Sequence, residues 1–273
     1  VFDAVLLFRE ALYGALVIGV ACSVLGVYVV LRRIVFVGAA LAQLSSAGIG
    51  LALWLAGLGW FGSTHAHTIG LSLVVTLAGA LIFGLGGGGR LIHHEAAIGV
   101  TYSIAAALGI HLIAKAVSGE AHDIFLQGNI LGITRTDTVV LLGVAVPILV
   151  IHFALSKEFL FVSFDPETAQ TLGYRVTRWN LLLYLTIGLM IAFAMQFAGV
   201  LLVFNFLVVP AVTGLLLART IRGAFGYSIG AAVTAAVIGF ALSVPLDLPT
   251  GPAIVAVSGL EAIGAWLVRR LRG

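Results

Sequence analysis

The segment FVGAALAQLSSAG, residues 36–48, is apolar enough to enter a membrane, yet it holds an amide, Gln43, among small neighbours. Other polar side chains stand in equally apolar runs: Ser45, Ser46, Tyr102, His111, His152, Gln196, Asn205 and Thr213. A polar group inside a bilayer is costly unless it is paired or faces water, so each belongs either to a pathway or to a hydrogen bond between helices. Hydrogen bonding between helices is the expected role of Gln196, Asn205 and Thr213. His111 lies one helical turn from Lys115 near one end of its run, and His152 near an end of another. His65 and His67 could share a cation, because alternate residues of an extended loop point the same way. His122-Asp123 is a second candidate group of metal-ligand type. Neither has a third ligand beside it, so solvated histidines are the simpler reading of both.

Conventional enzymatic patterns are missing. There is no Ser/His/Asp, Cys/His or His-Glu-x-x-His spacing, and His93-His94-Glu95 reads as an interfacial helix start, with Glu95 favourable in the first turn. The run Gly86–Gly89 before Arg90 has no following Gly-Lys-Ser/Thr and no preceding strand, so it is not a nucleotide loop. Any ATP must be used by another chain, and no cofactor is expected on this one.

The elements that hold these residues follow from composition. Of 273 residues 61% are hydrophobic and 9% charged, with a mean hydropathy of +1.19, which describes an integral membrane protein. Long uninterrupted apolar runs indicate an all-α polytopic helical bundle rather than a barrel of alternating strands. A net charge of +3 gives no reason to expect nucleic acid. The lone Cys22 can form no internal disulfide. No cleavable signal is evident, and the missing initiator Met is read as a trimmed N-terminus.

Nine candidate spans are expected: 11–31, 34–57, 68–88, 95–114, 138–156, 180–199, 200–218, 224–243 and 251–268. Little polar material separates the sixth from the seventh, so eight or nine crossings are possible, and one of that pair is expected to be broken or re-entrant. If the Arg32-Arg33 turn is cytoplasmic, eleven cations fall inside (Arg32, Arg33, Arg90, Lys157, Arg175, Arg178, Arg219, Arg222, Arg269, Arg270, Arg272) and three outside (Arg9, Lys115, Arg135). That bias puts the N-terminus outside and the C-terminus in the cytoplasm. The first ten residues are too short to span and are expected at the outer interface. In the outer connection 115–137, residues 124–133 are expected to form an interfacial or re-entrant helix, a plain loop being the alternative. In the inner connection 157–179, Asp165 can cap a short helix, Pro166 suits its first position, Glu167 complements its N-terminus and Gly173 can close it. In the second span Gly38, Ala42, Ser46 and Gly50 make a ridge that lets helices approach closely, and Ala39, Gln43 and Ala47 form the adjacent row. Gln43 therefore looks into a helix interface or a cavity beside it, not at lipid.

Several of these stretches resemble one family in order along nearly the whole chain. Gly26-Val27-Tyr28-Val29-Val30-Leu31-Arg32-Arg33 followed by Gly38-Ala39-Ala40-Leu41-Ala42-Gln43 is similar to the G-V-F-V-V-L-R-R and G-D-A-L-S-H signature of the zinc/manganese-type metal ABC transporter permeases. Glu95-Ala96-Ala97-Ile98-Gly99 resembles their E-x-x-I-G, and Gly128-Asn129-Ile130-Leu131-Gly132 their outer G-x-I-L motif. Phe164-Asp165-Pro166-Glu167 through Leu172-Gly173 resembles F-D-x-E-x-A-x-x-L-G, and Gly199-Val200-Leu201-Leu202 with Pro210-Ala211 resembles G-x-L-L…P-A.

The resemblance implies a single permease domain, 1–273, in a prokaryotic cytoplasmic membrane. A second permease subunit, in a homodimer, would complete a pore for a divalent metal such as zinc, manganese or iron. Cytoplasmic ATP-binding cassette ATPases would dock below and an extracytoplasmic metal-binding protein above. Asp165, Pro166, Glu167, Gln170, Leu172 and Gly173 would form the helix that couples to the ATPase. Ala39, Gln43, Ser46 and His111 are the expected pathway residues, and His65, His67, His122 and Asp123 the outer metal candidates. One departure stands out: the family carries Asp and His where this chain has Ala39 and Gln43. A neutral amide is a weak partner for a borderline-soft metal. Coordination has then moved, or the pore passes cargo without a binding step, or the cargo is a chelate or other small solute. A non-transporting scaffold or sensor subunit is the reading from a different class.

Overall fold

The computed structural model describes residues 8–60, 65–86, 94–116, 130–243 and 245–272. These form α1 (Arg9–Leu31), α2 (Val35–Gly57), α3 (His65–Gly84), α4 (His94–Ala116), a 3₁₀ turn (Ile130–Gly132), α5 (Arg135–Ala154), α6 (Ser156–Phe164), α7 (Pro166–Thr171), α8 (Val176–Leu217), α9 (Ile221–Ser243) and α10 (Thr250–Arg272). Eight of these helices are long and apolar enough to cross a membrane, and the described residues contain no strand. The expected all-α polytopic bundle is the fold observed.

The longest helix, α8, has 42 residues. Straight, it would extend about 63 Å, twice the hydrocarbon thickness of a bilayer. It is broken at Gly199, whose φ of 71° and ψ of 168° are closed to residues with a side chain. Contacts with α1 fix the direction of the two limbs. Asn180 of the first limb hydrogen-bonds Arg32 at the end of α1, while Leu207 of the second limb lies against Gly26 of the same helix. Positions 26 and 32 are about 9 Å apart along α1, whereas a straight α8 would put about 40 Å between 180 and 207. The chain therefore reverses at Gly199 and the limbs run antiparallel. Among the described residues eight membrane-length helices thus give nine limbs of spanning length, and the expected spans 180–199 and 200–218 fall one on each limb of α8.

This reversal places α8 at the centre, packed on α1, α2, α3, α9 and α10. Close approach needs small residues at the crossings: a Cβ on Gly48 of α2 would lie 2.7 Å from Ser72 Cα of α3, and one on Gly239 of α9 would lie 2.5 Å from Ile254 Cα of α10. The periphery is apolar instead of polar. Val100, Ile104 and Leu108 of α4, and Leu260, Ile263 and Leu267 of α10, are exposed, as the hydrocarbon of a bilayer requires.

The two ends of the bundle are distinguished by their contacts. At the Arg32 end, Tyr28 reaches His152, and Asn180 reaches Arg32. At the Gly199 end, the Ile133 side chain covers Gly14, and Thr134 and Asp137 form a reciprocal capping box that starts α5. The expected helix 124–133 is not seen in its described part: Ile130–Gly132 make only a 3₁₀ turn, stopped by the Thr134 cap, and 124–129 lie outside the described residues. The inner connection holds two helices where one was expected, α6 preceding α7.

Gly199→Ala should lower stability by about 1–3 kcal/mol, because the backbone conformation there is available only to glycine. Gly230→Ala, where an added Cβ meets nothing within 4 Å, serves as the control and should leave it unchanged. Thermal unfolding of the detergent-purified protein compares the two.

Candidate translocation path and coupling segment

The small ridge of α2 is used along its length. Gly38 receives the side chain of Leu207 from α8. A Cβ on Gly109 of α4 would lie 3.2 Å from Ser46 Oγ, and one on Gly50 would lie 3.2 Å from the Gly109 carbonyl oxygen. Ser45 and Ser72 share a hydrogen bond of 2.7 Å that ties α2 to α3. Three neighbours thus enclose α2 and leave one side uncovered only near its Arg32 end. Along that side exposure falls from 71% at Phe36, through half-buried Ala39, to 9% at Gln43 and 8% at Ala47. The row named from sequence is therefore open at the Arg32 end, at Phe36 and Ala39, and already closed at Gln43 and at Ala47, whose backbone packs on Gly109 of α4.

The other expected pathway residues separate. Ser46 is buried in the α2–α4 contact. His111 is exposed on α4, two residues from both Gly109 and Ile113, which face α2. Residues two apart on a helix do not share a face, so His111 is directed away from Gln43. His152 is structural: it is 1% exposed, its Nε2 is 2.8 Å from Thr186 Oγ1, and its ring stacks on Phe159 at 4.4 Å. The hydrogen bonds expected between helices for Gln196, Asn205 and Thr213 are not formed. Thr213 donates to the Val209 carbonyl of its own helix, both amide atoms of Asn205 are buried without a partner, and so is Gln196 Nε2.

Among the outer candidates, His65 and His67 lie in the first turn of α3 and not in an extended loop. Positions two apart on a helix diverge, so the shared cation expected for them loses its geometric basis. His122 and Asp123 lie outside the described residues. Among the described residues no group of three or more His, Cys, Asp or Glu could hold a metal ion.

One residue of pathway type escaped the sequence reading. Glu261, at the middle of α10, is the one acidic side chain among the described residues that lies deep inside a membrane-spanning helix. Its Oε1 accepts a 2.6 Å hydrogen bond from Thr234 of α9, and its Oε2 is buried without a partner. Glu95, Asp137 and Glu10 by contrast sit in first turns, so position within the run was the signal that could have found it.

The segment 164–173 has the local structure its sequence encodes. Asp165 Oδ1 accepts from the Thr168 backbone N–H at 2.9 Å, Pro166 opens α7, and Gly173 closes it with φ of 89°. Ala169 is fully buried and anchors the turn, while Asp165, Glu167, Gln170 and Leu172 face outward. Hydrogen bonding with Thr168 holds the Asp165 carboxyl below its usual range. Beside α7 a groove of about 530 Å³ is lined by Leu172, Tyr174, Arg175, Arg178, Trp179 and Leu182. An exposed short helix beside a cationic groove is a surface fit for a protein partner.

A model of the ABC 3 transport family matches residues 5–269. The chain is 32% identical over 254 residues to the manganese import system permease protein ScaB of Streptococcus gordonii, covering 92% of this chain and 87% of the relative. It is 30% identical over 262 residues to the manganese transport system membrane protein MntC of Halalkalibacterium halodurans, covering 94% and 86%. Among solved structures, PsaBC from Streptococcus pneumoniae in complex with Fab is similar with a TM-score of 0.84 at 26% identity, covering 100% of this chain and 98% of that one.

The depressed Asp165 carboxyl sets a pH dependence. The charge-assisted part of its cap is present at neutral pH and is lost only as pH falls through that lowered value, leaving the neutral acceptor that Asn would also supply. Asp165→Ala should fray α7 at every pH, seen as faster hydrogen exchange at the Thr168 amide, whereas Asp165→Asn should keep the amide protected.

Proposed function

The chain belongs to the ABC 3 transport family, and from this we propose that it is the membrane-spanning subunit of an ABC importer for a divalent transition metal. The observation that carries the metal class is the similarity over most of the chain to permeases named for manganese import and transport. The chain acts as one permease domain, 1–273, and it pairs with a second permease subunit, most simply a copy of itself. Its Arg32 end faces the cytoplasm, as the eleven-to-three distribution of cations favours. The N-terminus is then outside and the C-terminus inside, in the cytoplasmic membrane of a prokaryote.

The parts have the following roles. Asp165, Pro166, Glu167, Gln170, Leu172 and Gly173 present α7 to a cytoplasmic ATPase, which supplies all the ATP chemistry. A metal-binding protein docks at the Gly199 end. Ala39 and Gln43 of α2 line the path where two protomers meet, Ser46 supports it from behind by packing on Gly109 of α4 in the same protomer, and His111 reaches it only if the partner protomer covers its face of α4. ATP-driven closure of the ATPases moves α7 and switches the pore between faces, each state being selected by what binds it. Gln43 touches the cargo through its amide oxygen, a neutral ligand that holds a cation briefly and lets it pass.

A second reading is favoured by the same two residues. Ala39 and Gln43 supply neither carboxylate nor imidazole, which suits the scaffold to a metal already held by a chelator or to another small solute.

Reconstitution in proteoliposomes with the ATPase and binding protein separates the two. Manganese(II) uptake that depends on ATP is expected, and Gln43→Leu should lower it roughly tenfold, the scale of one lost interaction with a charge. Robust ATP cycling without uptake of any free divalent metal would sink the first reading and favour the second.

A further inference from the structure

Arg32 closes α1 with an unusual set of partners. Its Nε donates to Ser163 Oγ at 2.7 Å and its Nη1 donates to Asn180 Oδ1 at 2.5 Å. Ser163 is held in turn by donating to the Phe159 carbonyl. Ser163 lies in the last turn of α6 and Asn180 in the first turns of α8, so the two bracket α7 and its flanks, residues 164–179. One guanidinium thus fastens both ends of the coupling segment to the end of α1, from which the chain turns directly into α2. The turn is tight: the next residue, Arg33, has φ of 59°, a left-handed conformation that is costly for a residue with a side chain.

Both partners are neutral oxygens, and among the described residues no carboxylate pairs with Arg32. Its Nη2 is buried without a partner. A buried carboxylate would lock such a joint, because removing one member of a buried ion pair strands the other charge. Hydrogen bonds from a guanidinium to neutral acceptors are directional and still exchangeable, and the free Nη2 can take another acceptor as the geometry shifts.

The rest of the joint is stiff. Phe159 of α6 is fully buried, stacks on His152 of α5, and meets Trp179 of α8 edge-on at 5.2 Å. Tyr28 of α1 sits within 5.2 Å of both His152 and Phe225 of α9. Rigid packing of this kind passes a displacement on instead of absorbing it.

We propose that Arg32 is the positioning residue that transmits movement of the coupling segment to α1 and α2, and so to the row that holds Ala39 and Gln43. This rests on the reading of α7 as the element that meets the ATPase. Arg32 touches neither cargo nor nucleotide. Its effect is on the ratio between ATP hydrolysis and transport.

The test uses the full chain with its ATPase in proteoliposomes and the binding protein loaded with manganese(II). Arg32→Lys keeps the cation but cannot hold two partners in one plane. Asn180→Leu and Ser163→Ala each remove one acceptor. Arg32→Lys and Asn180→Leu are expected to assemble with the ATPase and hydrolyse ATP at the basal rate. Stimulation by the loaded binding protein should fall roughly tenfold, the usual scale of coupling between sites. The double variant should be no worse than either single one, since both act through one contact. Unchanged stimulation in both single variants overturns the proposal, as does a loss that tracks the melting temperature or failed assembly. Glu167→Arg tells this failure from that of the underlying reading. If it leaves assembly intact, α7 is not the docking element. If it releases the ATPase while Arg32→Lys stays fully stimulated, the docking reading stands and the role of Arg32 falls.

Discussion

Inside a bilayer the backbone has no water to bond with, so a chain can change direction only where its helices cap one another or where a turn lies outside the hydrocarbon. The reversal at Gly199 is the point on which this structure depends. One residue turns a 42-residue helix back on itself, and the two limbs become a central post touched by α1, α2, α3, α9 and α10. Without the reversal Leu207 could not meet Gly26 and Gly38 while Asn180 meets Arg32. The small residues of α1 and α2 have meaning only against this post.

At the other end of the post the constraint is electrostatic. The Arg32 guanidinium is held in a partly buried site by two neutral side chains, above aromatic rings from α1, α5, α6, α8 and α9. Five helices therefore share one packed base, and the exposed α7 hangs from it through a fully buried Ala169 and the clasp at Ser163 and Asn180. The face of α2 that opens at this end and is closed by Gln43 begins one turn above the same arginine. A push on α7 and an opening beside α2 thus have a continuous physical connection.

Much of this was legible in the sequence, and the reasons are local. Asp165, Pro166 and Gly173 specify a short helix by capping chemistry alone, and α7 has those ends. The Gly38/Ala42/Ser46/Gly50 ridge announced close packing, and its positions meet α4 and α8. What the sequence withheld were the consequences of tertiary geometry. The alternation of spans 180–199 and 200–218 was expected, but that the single residue Gly199 makes the turn between them was not. His65 and His67 were paired on the premise of an extended loop, and both positions belong to the first turn of α3 instead. His111 and Gln43 share a character without sharing a face. Glu261 was hidden by its apolar surroundings, although a carboxylate at the centre of a span is the more costly group. Arg32 was counted as a charge that sets orientation, and its role as a joint depends on Ser163 and Asn180, 131 and 148 residues away along the chain.

If α2 lines the path, its row from Phe36 to Ala47 meets water at the Arg32 end and is progressively shielded beyond Ala39. Single cysteines at positions 36, 39, 43 and 47 test it most directly, since the native Cys22 is fully buried and gives a silent background. A membrane-impermeant maleimide applied to inside-out vesicles should label them at rates that fall in that order, with positions 39 and 43 protected or opened when ATP is added. Failure to label positions 39 and 43 in every nucleotide state, while position 36 reacts, would show that this face is sealed and that cargo crosses elsewhere.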